Sequence, residues 1–83
     1  MGKVAIILRV MPEDPDNVDA IVEKINELKP NTVDIEDIGF GIRAVKVSFI
    51  VPDTGGASDK VEEDLKNIPG VSEVDTLSVD LIS

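Results

Sequence analysis

The order of strand-like and helix-like segments is the feature of this sequence that most restricts its fold. Four segments are rich in β-branched residues and alternate with a period of two, as strands do: 3–11, 33–38, 42–51 and 71–82. Apolar residues recur at helical spacing after the first and the third of these segments, at Val18, Ile21, Val22, Ile25, Leu28 and at Val61, Leu65, Ile68. The order β-α-β-β-α-β predicts an α+β, ferredoxin-like fold. Right-handed crossovers then place two helices on one face of a four-stranded antiparallel sheet, in the strand order 4-1-3-2.

Capping residues indicate where the two helices begin. Asp14 is suited to cap the first helix, and Pro15 suits its first position because the missing N–H would have no partner there. Pro30 is expected to end that helix. Ser58 is the expected cap of the second helix. The whole chain, residues 1–83, is thereby assigned to one domain without a linker.

The residues that the chain lacks exclude several kinds of chemistry. It contains no cysteine and no histidine, so thiolate metal sites, disulfides and histidine-dependent catalysis are excluded, and no cofactor or metal is expected. It also has neither a signal-peptide pattern nor an apolar run of about 20 residues that could span a membrane. We therefore expect a cytoplasmic protein.

The net charge restricts the partners that the protein can bind. The formal charge is −9, spread along the chain without a basic stretch that could neutralise phosphates. Direct binding to nucleic acid or to an anionic membrane is therefore disfavoured. An acidic domain favours a basic protein partner, although acidity alone could serve only solubility.

Gly39-Phe40-Gly41 is the most unusual local motif and allows two interpretations. In the first, the glycines supply the positive φ of a turn and Phe40 folds onto the edge of the sheet. In the second, a scarce aromatic side chain between two glycines projects as an anchor for a partner. A phosphate-binding loop is disfavoured, because Ala44 stands where a third glycine is needed and a strand follows.

Other functions seen with this fold or with clustered acids require residues that are missing here. The acids Asp14, Asp16 and Asp19 do not fit a calcium loop, because Asp19 occupies the position that requires glycine. Metal chaperones of this fold need a Cys-x-x-Cys motif, and this chain has no cysteine. Acylphosphatases need an arginine-bearing phosphate loop after the first strand, and the loop in that position here is acidic. RNA-recognition modules need aromatic residues on central strands in basic surroundings. A ligand-sensing domain or a protein-binding domain remains.

The run 37–42, Asp-Ile-Gly-Phe-Gly-Ile, resembles the guanine nucleotide exchange domain of translation elongation factor 1-beta, in its short archaeal form. The first strand, the Gly70-Val71 turn and the closing Leu-Ser-Val-Asp at 77–80 are also similar to that family, so the resemblance covers almost the whole chain. It implies a factor that promotes GDP release from elongation factor 1-alpha, the GTPase that delivers aminoacyl-tRNA to the ribosome. It also implies that Phe40 enters a pocket on this GTPase, with Gly39, Gly41 and Ile42 shaping the turn. Such a factor changes a release rate without making or breaking covalent bonds, so we do not expect an enzyme. We also expect a monomer.

The chain departs from the eukaryotic relatives at its final strand. In those relatives a near-terminal lysine reaches the magnesium and phosphate site of the GTPase, whereas here no lysine follows Lys66. Exchange would then rely on distortion of the nucleotide site from a distance, or on another cation such as Lys46 or Arg43.

The alternative function is an amino-acid-sensing regulatory domain of the ACT type, which shares the same order of elements. Such domains commonly have glycine in the first strand–helix loop, where the ligand binds. The corresponding loop here, 12–15, is Pro-Glu-Asp-Pro and contains no glycine.

Overall fold

Strands and helices follow one another in the predicted order in the computed structural model, which describes residues 2–82. A single turn of 3₁₀ helix, Pro15–Asn17, leads into the first α-helix. The other elements are β1 (Lys3–Pro12), α1 (Val18–Glu27), β2 (Thr32–Gly39), β3 (Ile42–Pro52), α2 (Ala57–Lys66) and β4 (Val71–Leu81).

The four strands form one antiparallel sheet in the order β2-β3-β1-β4. This is the predicted order read from the opposite edge, so the predicted ferredoxin-like arrangement is confirmed. β1 and β3 are central, while the acidic β2 and the C-terminal β4 are the edge strands. The loop between β1 and the 3₁₀ turn lies at the same end of the sheet as the β2–β3 connection, since Arg43 Nη2 donates a 3.4 Å hydrogen bond to the Pro15 carbonyl.

The hydrophobic core lies between the two helices and one face of the sheet. Ile6, Leu8 and Val10 alternate along β1 and are buried, as the period-two pattern predicts. The same cluster contains the buried residues of the other elements: Val18, Ile21, Ile25, Val45, Val47, Phe49, Leu65, Ile68 and Val74. Both helices therefore cover the same face. Neither α1 nor α2, the α-helices within residues 2–82, is long and apolar enough to cross a membrane.

The start of the first helix matches the prediction, whereas the start of the second does not. Asp14 caps the 3₁₀ turn, where its Oδ1 accepts a 3.0 Å hydrogen bond from the Asp16 N–H, and Pro15 takes the first helical position. At α2 the cap is Gly56, with φ +87°, and Ser58 already lies within the helix. The prediction of a Ser58 cap is wrong, because the left-handed conformation at the helix entry selects glycine.

β4 contains an irregularity that the alternation of its residues does not show. Ile7 pairs with Ser78 but Leu8 pairs with Thr76, so Leu77 is an extra residue opposite β1. This is a β-bulge. Leu77, Val79 and Leu81 are all exposed, so the apolar alternation at this end of β4 does not mark a buried face.

The face of the sheet without helices carries charges in register. Asp34 pairs with Lys46, Lys46 with Arg9, and Arg9 with Asp75, so one row of charged residues crosses all four strands. The two cations face each other, a destabilising arrangement that the flanking acids offset. We refer to Asp34, Lys46, Arg9 and Asp75 as the charged row.

Candidate functional site

A tight hairpin turn joins β2 to β3 and presents the predicted site residues. Gly39 and Ile42 are the last paired residues, which leaves Phe40 and Gly41 as a two-residue loop. Both loop residues have positive φ, +57° and +75°. Positive φ at both central positions is the property of a type I′ turn, which matches the right-handed twist of the flanking strands.

Phenylalanine is an unusual residue at this turn position. Type I′ turns favour Asn, Asp or Gly, because a residue with a larger side chain costs roughly 1–2 kcal/mol in the left-handed region. A Cβ on Gly39 or Gly41 would meet nothing within 4 Å, so backbone conformation rather than space requires these glycines. An aromatic residue held at strained φ in an exposed turn points to a role outside the protein's own packing.

Asp37 supports the turn from the end of β2. Its Oδ1 accepts a 2.9 Å hydrogen bond from the Gly39 N–H, and its backbone pairs with Arg43. The register then shifts between Asp37 and Gly39, so Ile38 lies opposite no residue of β3. Asp37 and Ile38 were not among the site residues predicted from the sequence. An aspartate two residues before a turn glycine is nevertheless the signal of an Asx turn.

The hydrocarbon surface at this turn is exposed. Phe40 has a relative exposure of 103%, against 42% for Ile38 and 39% for Ile42. We call these three residues the apolar tip. The phenyl ring therefore does not fold onto the edge of the sheet, and the projecting arrangement is the one observed. Such a surface can contribute hydrophobic contact area to a partner, because burial of an exposed aromatic ring is favourable.

Acidic residues lie at the same end of the sheet as the apolar tip. Glu36 and Asp37 precede it on β2, and Glu13, Asp14 and Asp16 occupy the neighbouring loop after β1. The hydrogen bond from Arg43 to the Pro15 carbonyl shows that both acidic segments lie at this end of the sheet. A complementary surface would therefore be an apolar pocket with a basic rim.

A groove of about 340 Å³ at the opposite end of β3 was not predicted from the sequence. It lies between the end of α1, the end of β3 and the start of α2, and its lining includes Leu28, Phe49, Val51, Pro52, Ala57 and Val61. The ACT-type alternative places its ligand near the 12–15 loop, at the other end of the sheet. The groove therefore gives no support to that alternative.

Comparison with known proteins agrees with this architecture at the level of the fold. The crystal structure of PH0061 superimposes with a TM-score of 0.67 at 21% sequence identity, covering 99% of this chain and 53% of that chain. The present chain thus spans about half the length of this structural neighbour.

Sequence comparison identifies the family to which the chain belongs. Relatives described as elongation factor 1-beta include one from Methanospirillum hungatei, 42% identical over 99% of this chain and 100% of the relative. Others come from Methanoregula boonei, with 40% identity over 98% and 99% of the two chains, and from Thermoplasma acidophilum, with 35% over 99% and 100%. Residues 5–82 match the model of the family described as "EF-1 guanine nucleotide exchange domain". With the whole β-α-β-β-α-β unit matched, the chain belongs to the EF-1 guanine nucleotide exchange domain family.

Proposed function

We propose that this protein promotes the exchange of GDP for GTP on translation elongation factor 1-alpha during the elongation stage of protein synthesis. The observation that carries the proposal is the match of residues 5–82 to the EF-1 guanine nucleotide exchange domain. The full-length similarity to elongation factor 1-beta of several archaea supports the same function.

Nucleotide exchange requires binding energy and no covalent chemistry. A factor accelerates GDP release when it binds the nucleotide-free GTPase more tightly than the GDP-bound form, because a ligand shifts an equilibrium only by its differential affinity for the two states. The same coupling means that rebinding of GTP weakens the factor's own affinity and releases it. On this proposal the protein is not an enzyme in the chemical sense.

The apolar tip is the proposed contact with the GTPase. Phe40 supplies the anchor, since its fully exposed ring contributes nothing to the core. Gly39 and Gly41 permit the turn that displays the ring, and Ile42 extends the hydrocarbon surface beside it. Interface energies concentrate in a few residues of this kind, especially aromatic ones in well-packed pockets.

The remaining parts of the proposal concern the state of the protein in the cell. Residues 1–83 act as one exchange domain, as a monomer in the cytoplasm, through a protein–protein contact rather than a contact with nucleic acid. The net charge of −9 supports this preference, because it repels polyanions and attracts a basic surface. The charged row also places four ionic groups across the helix-free face, which opposes stacking of two copies through that part of the face.

A fluorescence assay of nucleotide release tests the function directly. Purified elongation factor 1-alpha from one of the archaeal relatives is loaded with a fluorescent GDP analogue and chased with excess GTP. We expect the release rate to rise with the concentration of this protein and to saturate. Release at the rate of buffer alone, across concentrations at which the protein remains folded, would contradict the proposal.

A further inference from the structure

The side chain of Asp37 forms a hydrogen bond with the backbone at the entry to the turn that contains Phe40. Its carboxylate accepts the Gly39 N–H at 2.9 Å, immediately before the residue whose φ is +57°. Gly39 itself has φ +96°, so three successive residues, 39 to 41, lie in the left-handed half of conformational space. The Asp37 bond fixes the entry to this run.

The turn needs such support because its sequence does not favour the conformation strongly. The left-handed backbone at the first loop position is unfavourable for phenylalanine, whereas asparagine adopts it readily. The register shift leaves Ile38 without a partner residue in β3, so the ladder gives less support just before the turn. An Asx-type hydrogen bond is the local interaction that offsets these effects.

We infer that Asp37 is a positioning residue for nucleotide exchange, whose hydrogen bond to Gly39 holds Phe40 in its projecting conformation before the GTPase binds. The inference rests on the proposed function. A preformed anchor avoids the entropy cost of ordering the turn at the moment of association, so loss of the bond lowers binding even when every contact of the Phe40 ring itself is retained.

The test compares five variants in the release assay, one of which, Phe40→Ala, is the reference for a double variant. Asp37→Ala removes the acceptor, and we expect kcat/KM for exchange to fall roughly 3- to 10-fold, the effect of one hydrogen bond. Asp37→Asn keeps an acceptor oxygen while removing the charge, and we expect it to stay within about 2-fold of the wild type. Asp34→Ala removes the same charge from the same strand away from the turn, and is the matched control. Asp37→Ala combined with Phe40→Ala should be no slower than Phe40→Ala alone, because Asp37 acts through the ring.

A spectroscopic measurement follows the hydrogen bond itself. The Gly39 amide should be protected from hydrogen exchange in the wild type and in Asp37→Asn, and should lose this protection in Asp37→Ala. Thermal unfolding of each variant shows whether the fold is intact. Amide protection does not depend on activity, so it reports on the turn even if the change in the rate of nucleotide exchange is small.

The possible outcomes separate this inference from the proposed function. If wild-type protein accelerates exchange and Phe40→Ala does not, but Asp37→Ala is fully active, the positioning role is wrong and the proposed function stands. If Asp37→Asn is as slow as Asp37→Ala, charge rather than the hydrogen bond is responsible, and the inference is again overturned. An inactive wild-type protein would overturn the proposed function, and with it a role for Asp37 in exchange.

Discussion

Arg9 on β1 and Glu36 on β2 meet across the strand that separates them, with Arg9 Nη2 3.4 Å from Glu36 Oε1. The two side chains meet above β3 next to Ala44, the residue of β3 that lies opposite Glu36 in the sheet. Ala44 is fully buried although it lies on the helix-free face. The side chains retain 35% and 38% exposure, so solvent screens their attraction. Arg9 Nε and Glu36 Oε2 are buried without a hydrogen-bond partner in residues 2–82, which leaves part of their desolvation cost uncompensated.

We therefore expect the Arg9–Glu36 pair to contribute little to stability. A double-mutant cycle with Arg9→Ala, Glu36→Ala and the double variant should give a coupling of about 0.2–1 kcal/mol in the free energy of unfolding. The coupling should fall in high salt, because the pair is partly exposed. Urea titrations at low and high salt measure both quantities. A coupling above roughly 3 kcal/mol, typical of a broken buried pair, would contradict this expectation.

Phe40→Ala should separate function from folding. Loss of an interface anchor typically costs about 2–4 kcal/mol of binding, so exchange efficiency should fall by roughly 30-fold or more. The fully exposed ring contributes no core packing, so the unfolding midpoint should change little. Val79→Ala is the matched control, since it removes exposed hydrocarbon at the far end of the sheet, roughly 20 Å of strand from the tip. Equal exchange by the two variants would place the contact elsewhere.

Phe40→Asn should stabilise the fold while it impairs exchange. Asparagine followed by glycine is the favoured pair for a type I′ turn, so the substitution relieves the cost of phenylalanine at φ +57°. We expect the free energy of unfolding to rise by about 0.5–1.5 kcal/mol. Chemical denaturation and the release assay, performed on the same preparation, test the two effects. A destabilised variant would show that the ring packs in solution.

Adjacent residues on β1 should respond very differently to the same change. Leu8 is fully buried under the helices, and Leu8→Ala should lower the free energy of unfolding by about 2–5 kcal/mol. Ile7 points to the helix-free face and is only partly buried, so Ile7→Ala should cost less than half as much. Urea denaturation of both variants provides the measurement. Similar losses would mean that both faces of β1 are equally buried.

The strands and the first helix could be predicted because their signals are local. The alternation along β1 identifies its buried face directly, and the capping chemistry of Asp14 and Pro15 marks the start of the first helix. The second helix begins at Gly56–Ala57 because the loop after β3 enters it in a left-handed conformation, which the presence of Ser58 does not reveal. The bulge at Leu77 depends on the pairing of β4 with β1, so it cannot be predicted from the sequence of β4 alone.

The candidate site was predictable in part. The Gly-Phe-Gly motif identified the right turn, but the sequence left open whether the ring of Phe40 folds back or projects. The pairing of Gly39 with Ile42 leaves a two-residue loop with Phe40 at positive φ, and the exposure of the ring shows that it projects. Neither the exact pairing nor the rotamer of Phe40 can be read from the motif. The contact of Asp37 depends on a side-chain rotamer, which periodicity does not encode. Partner binding by Gly39, Phe40, Gly41 and Ile42 stays a prediction.

The bulge in β4 also affects how molecules of this protein behave at high concentration. A long, regular edge strand is a template on which other chains can add strands and begin to aggregate. Leu77 interrupts the regular spacing of backbone groups along this edge, and Glu73, Asp75 and Asp80 place like charges along the same strand. A second copy that approached edge to edge would meet a mismatched ladder and three repelling carboxylates. The irregular strand therefore disfavours fibril growth at an edge that exposes Leu77, Val79 and Leu81.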